Sequence, residues 1–272
     1  MIANVLTIAG TDPSGGAGIQ ADIKAMSALG AYACSVITAV VAQNTCGVRS
    51  FQALDPDFVA AQIDAVLEDV RIDAVKIGMI ANAGIAHAVA ERLRHHGARN
   101  IVLDPVMVAK SGHALLDPES VSAVREALVP LARLVTPNLP EAAVLLDRED
   151  DWTAETMQTA LPDLLALGSD YVLLKGGHLE GADSTDLLAG PEATQTFAAP
   201  RIATTNDHGT GCTLSSAIAA LLPNHDMPEA VARAKAYLHA ALAQSDALDV
   251  GQGHGPVHHF HALWPAEAKA QE

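Results

Sequence analysis

An α/β fold on a mostly parallel sheet is what this sequence predicts, and three observations carry it. Short apolar runs ending in glycine-rich or polar loops alternate with stretches of helical spacing, the rhythm of strand–loop–helix units. Hydrophobic residues make up 50% of the 272 while aromatics make up 3%, so the core must be built from Ala, Val, Leu and Ile, as in helix-covered parallel sheets. A glycine-rich loop directly follows the first apolar run, Val5 to Ala9. With no internal repeat and no linker, residues 1–272 read as one domain.

Composition also excludes partners. A formal charge of −16 argues against nucleic acid and against an anionic membrane, since both call for a basic face. Any phosphate has to be held locally. Cys34, Cys46 and Cys212 form no C-x-x-C pair, which fits a reducing cytoplasm. The first residues have no basic stretch, and their apolar run breaks at Thr11-Asp12-Pro13, so neither a signal peptide nor a membrane span is expected.

Val5 to Ala9 reads as a buried strand closed by Gly10. The loop Gly10-Thr11-Asp12-Pro13-Ser14-Gly15-Gly16-Ala17-Gly18 leads into a helix whose Ile19, Ile23, Met26 and Leu29 share one face. It lacks the Lys-Ser/Thr of a P-loop, so the backbone cradle comes without its charged finger. Gly16-Ala17-Gly18-Ile19-Gln20-Ala21 also fits a dinucleotide fingerprint, which asks for an acidic residue at the end of the next strand. That strand, Ala33 to Val41, runs instead into Ala42-Gln43-Asn44-Thr45, against a nicotinamide site. Gln43, just past a strand end, is either a surface residue or the reader of a heterocycle with an N–C–NH2 edge, because its amide sets a donor beside an acceptor.

A helix from Asp57 spaces Phe58, Ile63, Val66, Leu67 and Val70, and Ala74 to Ile77 is a strand ending at Gly78-Met79, with Met79 a gap-filler or a ligand contact. Helix Gly84 to His96 ends in Arg94, His95 and His96, which suit the helix dipole better than a metal. In the strand Ile101 to Met107, Asp104 precedes a proline and is held extended, as a cap or facing a site. Lys110-Ser111-Gly112 reads as a flexible loop and is the segment expected to close over the site. After a helix over Pro118 to Val129 and a strand Leu134 to Thr136, Asn138-x-x-Glu141 is either a helix cap with an acid in the first turn or an oxygen ligand set for magnesium. Helix Glu155 to Leu167 feeds strand Tyr171 to Leu174, and Lys175 beside Gly176-Gly177 is placed to touch a phosphate. Asp186-Leu187-Leu188 and Gln195-Thr196-Phe197 read as paired edge strands. Helices Leu214 to Leu222 and Pro228 to Leu248 close the chain, and the histidine-rich 253–261 reads as a packing or interface segment.

The loop around which the rest is organised is Thr204-Thr205-Asn206-Asp207-His208-Gly209-Thr210-Gly211-Cys212. It turns into a helix whose first N–H groups and positive dipole end suit a phosphate or developing negative charge. There the Cys212 thiol is expected to have a lowered pKa. Three readings stay open: a small core cysteine; a covalent nucleophile with a histidine such as His208; or a group that takes or orients a substrate hydroxyl proton while Gly209, Thr210 and Gly211 hold the phosphoryl group.

Taken together, Gly-Thr-Asp-Pro-Ser-Gly-Gly-Ala-Gly (10–18), Val-Ala-Gln-Asn-Thr (41–45), Lys-Ile-Gly-Met (76–79), Thr-Pro-Asn-Leu-Pro-Glu-Ala (136–142), Lys-Gly-Gly-His (175–178), His-Gly-Thr-Gly-Cys-Thr (208–213) and Gly-Pro-Val-His-His-Phe-His (255–261) resemble the hydroxymethylpyrimidine/phosphomethylpyrimidine kinases. That resemblance implies a ribokinase-like three-layer sandwich with helices on both faces. It also implies an ATP- and magnesium-dependent kinase of thiamine biosynthesis that phosphorylates 4-amino-5-hydroxymethyl-2-methylpyrimidine and then its monophosphate. By the same resemblance, Gly209, Thr210, Gly211 and Cys212 match the anion hole, with Cys212 in the position of a catalytic base. Gln43 matches the reader of the aminopyrimidine, and Ala17, Val41, Met79 and Val106 match its apolar wall, with Asp22 as a further substrate contact. Lys175, Asn138 and Thr210 match nucleotide contacts, and Glu141 and Asp104 the magnesium side. A homodimer is implied as well. The rival readings are a pyridoxine or pyridoxal kinase, a cysteine–histidine hydrolase or acyltransferase, and a non-catalytic binder of the small molecule.

Overall fold

Alternate residues of a single strand enter two different cores, which divides the molecule into three layers. In chain order the strands are β1 (Asn4–Ala9), β2 (Tyr32–Ile37), β3 (Ala39–Asn44), β4 (Gly47–Ala53), β5 (Ala74–Ile77), β6 (Ile101–Leu103), β7 (Leu134–Val135), β8 (Tyr171–Lys175), β9 (Asp183–Ala189) and β10 (Thr194–Pro200). The helices are α1 (Gly18–Ala28), α2 (Pro56–Leu67), α3 (Ala83–His95), α4 (Pro118–Ala123), α5 (Leu139–Leu146), α6 (Ala154–Leu165), α7 (Thr210–Leu221) and α8 (Met227–Ala243). These elements come from a computed structural model that describes residues 1–107, 116–149 and 151–264.

Val5, Leu134 and Leu173 pack with Met26, Ile218 and Val231 of α1, α7 and α8. Their strand neighbours Leu6, Val135, Val172 and Leu174 face the other way, onto Ile63, Val89, Leu145 and Leu161 of α2, α3, α5 and α6. The central sheet has the order β10-β9-β8-β7-β6-β5-β1-β2. It is parallel except that β9 runs antiparallel to β8 and to β10. β1 lies between β2 and β5, so the chain first builds one way from β1 and then the other. A crevice opens at such a reversal, outside the carboxyl ends of the strands, and this is where α/β sheets receive ligands.

The structure departs from the sequence-based expectation in a few places. The strand expected over Ala33 to Val41 breaks at Thr38, whose N–H donates to Ala9 O and whose Oγ1 donates to Met79 O. β3 therefore leaves the central sheet and pairs with β4 as a separate antiparallel hairpin. Gln43 lies inside that hairpin strand and not just past a parallel strand. The strand expected through Met107 stops at Leu103, ahead of Pro105, which has no N–H for a ladder. The helix expected to Val129 continues past α4 as a π-helical turn, Val124–Leu128, and a 3-10 turn, Val129–Leu131, at Pro130. α7 starts at Thr210, ahead of the expected Leu214. Lys110-Ser111-Gly112 lies outside the described residues.

Candidate active site

The reversal between β1 and β5 gathers the strand ends that the sequence singled out. Asp104 N–H donates to Ile77 O and Thr136 N–H to Leu103 O, each at 2.9 Å, so the residues after β5, β6 and β7 leave the sheet at one level. Lys175 closes β8 and bridges to Asn138 across its end. Above them sits the start of α7. Gly209 takes a φ of 78°, and a Cβ there would lie 1.8 Å from Gly16 O, so only glycine lets this turn touch the first loop. α7 has no side-chain cap, and its first backbone bond runs from Thr213 N–H to Gly209 O at 2.8 Å. The N–H groups of Thr210, Gly211 and Cys212 consequently have no intrahelical acceptor.

Facing them is a compact charge cluster. Lys175 Nζ lies 3.0 Å from Asp104 Oδ1 and 4.0 Å from Glu141 Oε2. A Cβ on Gly211 would come within 3.3 Å of Lys175 Nζ and 3.6 Å of Asp104 Oδ2, so the absent side chain lets helix backbone and cation meet. Burial alone would lower the Lys175 pKa, but Asp104 and Glu141 outweigh it and raise it. Burial alone would raise Asp104, and Lys175 and Lys76 instead hold it down. Glu141 goes up, because burial and repulsion from Asp104 exceed the pull of Lys175. Asn138 and Glu141 do form the expected cap: Glu141 N–H donates to Asn138 Oδ1 at 2.9 Å, and Asn138 N–H to Glu141 Oε2 at 2.8 Å. The same Glu141 faces Lys175, so the cap and site readings describe one residue.

Two buried carboxylates sharing one nearby ammonium suit a hard divalent cation brought in on nucleotide phosphates. Among the described residues no group of three or more His, Cys, Asp or Glu is placed to hold a metal by itself. Such a cation would therefore rest on Glu141 and Asp104 together with phosphate and water oxygens.

Two expectations are corrected. The Cys212 thiol is not lowered; burial pushes it up to about 11, with Asp22 and Asp104 adding to the rise while Lys76 and the Gly18 N–H oppose it. Asp22, expected as a further substrate contact, is held inside the fold. It is fully buried, with Lys76 Nζ at 3.0 and 2.9 Å, Thr7 Oγ1 at 2.6 Å and Ser216 Oγ at 2.7 Å. The sequence reading missed Lys76, which looked like one residue of an apolar strand. It also missed Ser215, whose Oγ lies 3.3 Å from Asp104 Oδ2.

On the opposite side, Met79 and Val41 sit together over Gly10, where a Cβ would lie 3.2 Å from Met79 Sδ and 3.7 Å from Val41 Cγ2. Val106 follows the end of β6 by three residues and is half-buried, as Met79 is. Ala17 N–H donates to Asp12 Oδ2 at 2.7 Å, and Gly209 packs on the same turn. His208 Nε2 donates to Asp12 Oδ2 at 2.8 Å, so this histidine is engaged with the first loop, and no hydrogen bond between it and Cys212 is present among the described residues. The histidine-rich segment packs as expected, with His259 buried and its Nε2 3.0 Å from Thr213 Oγ1.

The hydroxymethylpyrimidine/phosphomethylpyrimidine kinase of Salmonella typhimurium is 62% identical over 262 residues, 96% of this chain and 98% of that protein. A phosphomethylpyrimidine kinase from Clostridium difficile superimposes with a TM-score of 0.79 at 41% identity, over 88% of this chain and 99% of that one. The pyridoxal kinase of Bacillus subtilis, solved as an ADP complex, gives a TM-score of 0.88 at 34% identity, over 96% of this chain and 99% of that one. With a ribokinase-like three-layer fold and a match to the phosphomethylpyrimidine kinase model over residues 12–258, the chain belongs to that kinase family.

Proposed function

We propose that this kinase transfers the γ-phosphoryl group of ATP to the hydroxymethyl oxygen of 4-amino-5-hydroxymethyl-2-methylpyrimidine, and then phosphorylates the resulting monophosphate. The observation that carries the reading is the uncapped start of α7 facing Lys175, with Asp104 and Glu141 behind it. Phosphoryl transfer asks for positioning and charge stabilisation more than for covalent chemistry, and free N–H groups with a lysine supply both. Thr210, Gly211 and Cys212 N–H groups receive the phosphoryl oxygens, and Lys175 neutralises their charge, with Asn138 holding Glu141 in place. A magnesium ion on the Glu141 and Asp104 side would add further neutralisation of the phosphates.

With its thiol near 11, Cys212 is protonated at neutral pH. It orients the hydroxymethyl oxygen by a hydrogen bond, and the alcohol proton leaves late, once the P–O bond has begun to form and the oxygen has become acidic. Val41, Met79, Val106 and Ala17 form the apolar wall for the pyrimidine, and Gln43 reads its amino edge. The close relative's name supports the substrate pair. The pyridoxal kinase likeness at a TM-score of 0.88 favours a second reading, in which pyridoxal takes the same pocket.

The deciding experiment offers hydroxymethylpyrimidine, its monophosphate and pyridoxal separately with ATP and magnesium, and resolves the products by mass. Turnover of both pyrimidines supports the proposal, whereas turnover of pyridoxal alone replaces it with the second reading. We place the enzyme in the cytoplasm as a homodimer working as one catalytic domain over its length. Exposed Val40, Val48 and Phe51 of the β3–β4 hairpin support the dimer, and a monomeric mass in sedimentation would overturn it.

A further inference from the structure

A lysine on the sheet-facing side of a helix is out of place unless a partner holds it. The buried positions of α8 include Met227, Ala230, Val231, Ala234 and Ala241, the spacing of an apolar helix face, and Lys235 shares that face at 9% exposure. Its partner is Asp186 of β9, also buried, with Lys235 Nζ 2.6 Å from Oδ2. Oδ1 of the same carboxylate accepts from Gly176 N–H at 3.1 Å, which ties down the backbone directly after Lys175. Asp186 is also the residue opposite Lys175 in the antiparallel β8–β9 ladder. Leu173 and Leu188 form the preceding rung on the same side of the sheet and enter the α7–α8 core, so Lys175 and Asp186 start from one face.

Opposite charges directly across an antiparallel ladder attract one another, and the flexible stem of a lysine reaches such a neighbour easily. Lys175 turns elsewhere: its Nζ lies 3.0 Å from Asp104 Oδ1, and among the described residues no ion pair joins it to Asp186. A carboxylate with both oxygens engaged and its charge balanced by Lys235 has little to offer a second cation. We infer that Lys235 is a positioning residue: by occupying Asp186 it keeps Lys175 from being captured across the ladder and leaves that ammonium to the transferred phosphoryl group. This rests on Lys175 serving the phosphates, as in the proposed function. Stability alone does not account for the Lys235–Asp186 pair, because a buried ion pair is often matched by neutral residues of similar size.

The test measures kcat and KM with ATP and hydroxymethylpyrimidine, below each protein's melting temperature, in the wild type, Lys235→Met, Lys235→Arg, Lys175→Met and the double variant that adds Asp186→Asn to Lys235→Met. Lys235→Met is expected to lower kcat about tenfold or more, with KM for the pyrimidine little changed, because Asp186 draws a preorganised charge out of the site. Lys235→Arg is expected to keep most of kcat. The double variant is expected to recover most of the loss, since an amide still accepts from Gly176 N–H but no longer competes for an ammonium. Recovery of the melting temperature without recovery of kcat overturns the inference, and so does an unchanged kcat in Lys235→Met beside a fall in Lys175→Met. An unchanged kcat in Lys175→Met removes the phosphate role of Lys175 and this inference with it. Should Lys235→Met not fold, Lys235→Gln carries the test: it removes the charge and keeps a donor, kcat is expected to fall likewise, and an unchanged kcat overturns the role of Lys235.

Discussion

At Cys212 the positive end of α7 and the water-poor surroundings act in opposite directions on one thiol. Burial prevails, so alkylation by iodoacetamide should be slow at pH 7 and climb with a midpoint near 11; a midpoint below 8 would show that the helix end dominates after all. An orienting thiol also makes the two phosphorylations unequal. The first needs an alcohol aimed, whereas the second uses a phosphate already ionised near neutral pH, so Cys212→Ala should slow the first step more than the second in single-turnover assays of each. Replacing Lys175 by Met should cut kcat by roughly a hundredfold or more, as loss of a preorganised charge does, with KM for the pyrimidine little changed. Lys175, Asn138 and Glu141 were legible in the sequence because each closes a strand or opens a helix, and chain position alone puts such residues at the crevice. Lys76 was not, because its role depends on Asp22 reaching across from α1.

Elements meet at this site through backbone, and that makes some substitutions prohibitive. Gly209→Ala needs a side chain where Gly16 O already lies, at a φ that favours glycine. It should separate α7 from the first loop and abolish turnover, with a thermal melt to show whether the rest of the fold survives. β5 and α1 are joined by the fully buried Lys76–Asp22 pair, and Ser216 of α7 donates to the same carboxylate. Lys76→Met strands the carboxylate and should cost about 3–5 kcal/mol in urea unfolding, while adding Asp22→Leu should recover part of it. Most elements were readable from apolar spacing and turn residues. The β3–β4 hairpin was not, since Ala33 to Val41 is one apolar run and the break at Thr38 depends on contacts with Ala9 and Met79.

Across the whole molecule, the C-terminal histidines link stability to pH. Burial lowers His259 to about 3, with Lys24 and His258 adding to the effect. Between pH 6.5 and about 3 the unfolded chain binds a proton there that the folded chain refuses, so stability falls as pH falls through that window. Melting temperatures measured from pH 7.5 down to 4.5 should drop, and His259→Gln should flatten the slope. The mostly parallel sheet followed from composition and order of segments and the three layers from the family resemblance, but the closure of the first loop onto the last third of the chain followed from neither. Asp12 and His208 are 196 positions apart, and nothing local in either marks the other. Their meeting has a bearing on biosynthesis. A ribosome releases the first loop on the order of ten to forty seconds before the Gly209 turn that completes its pocket. A nascent chain has no finished place for nucleotide or pyrimidine during that interval, so neither ligand can stabilise it by binding. The early strands must survive on their own packing or with the help of chaperones until the final segment arrives.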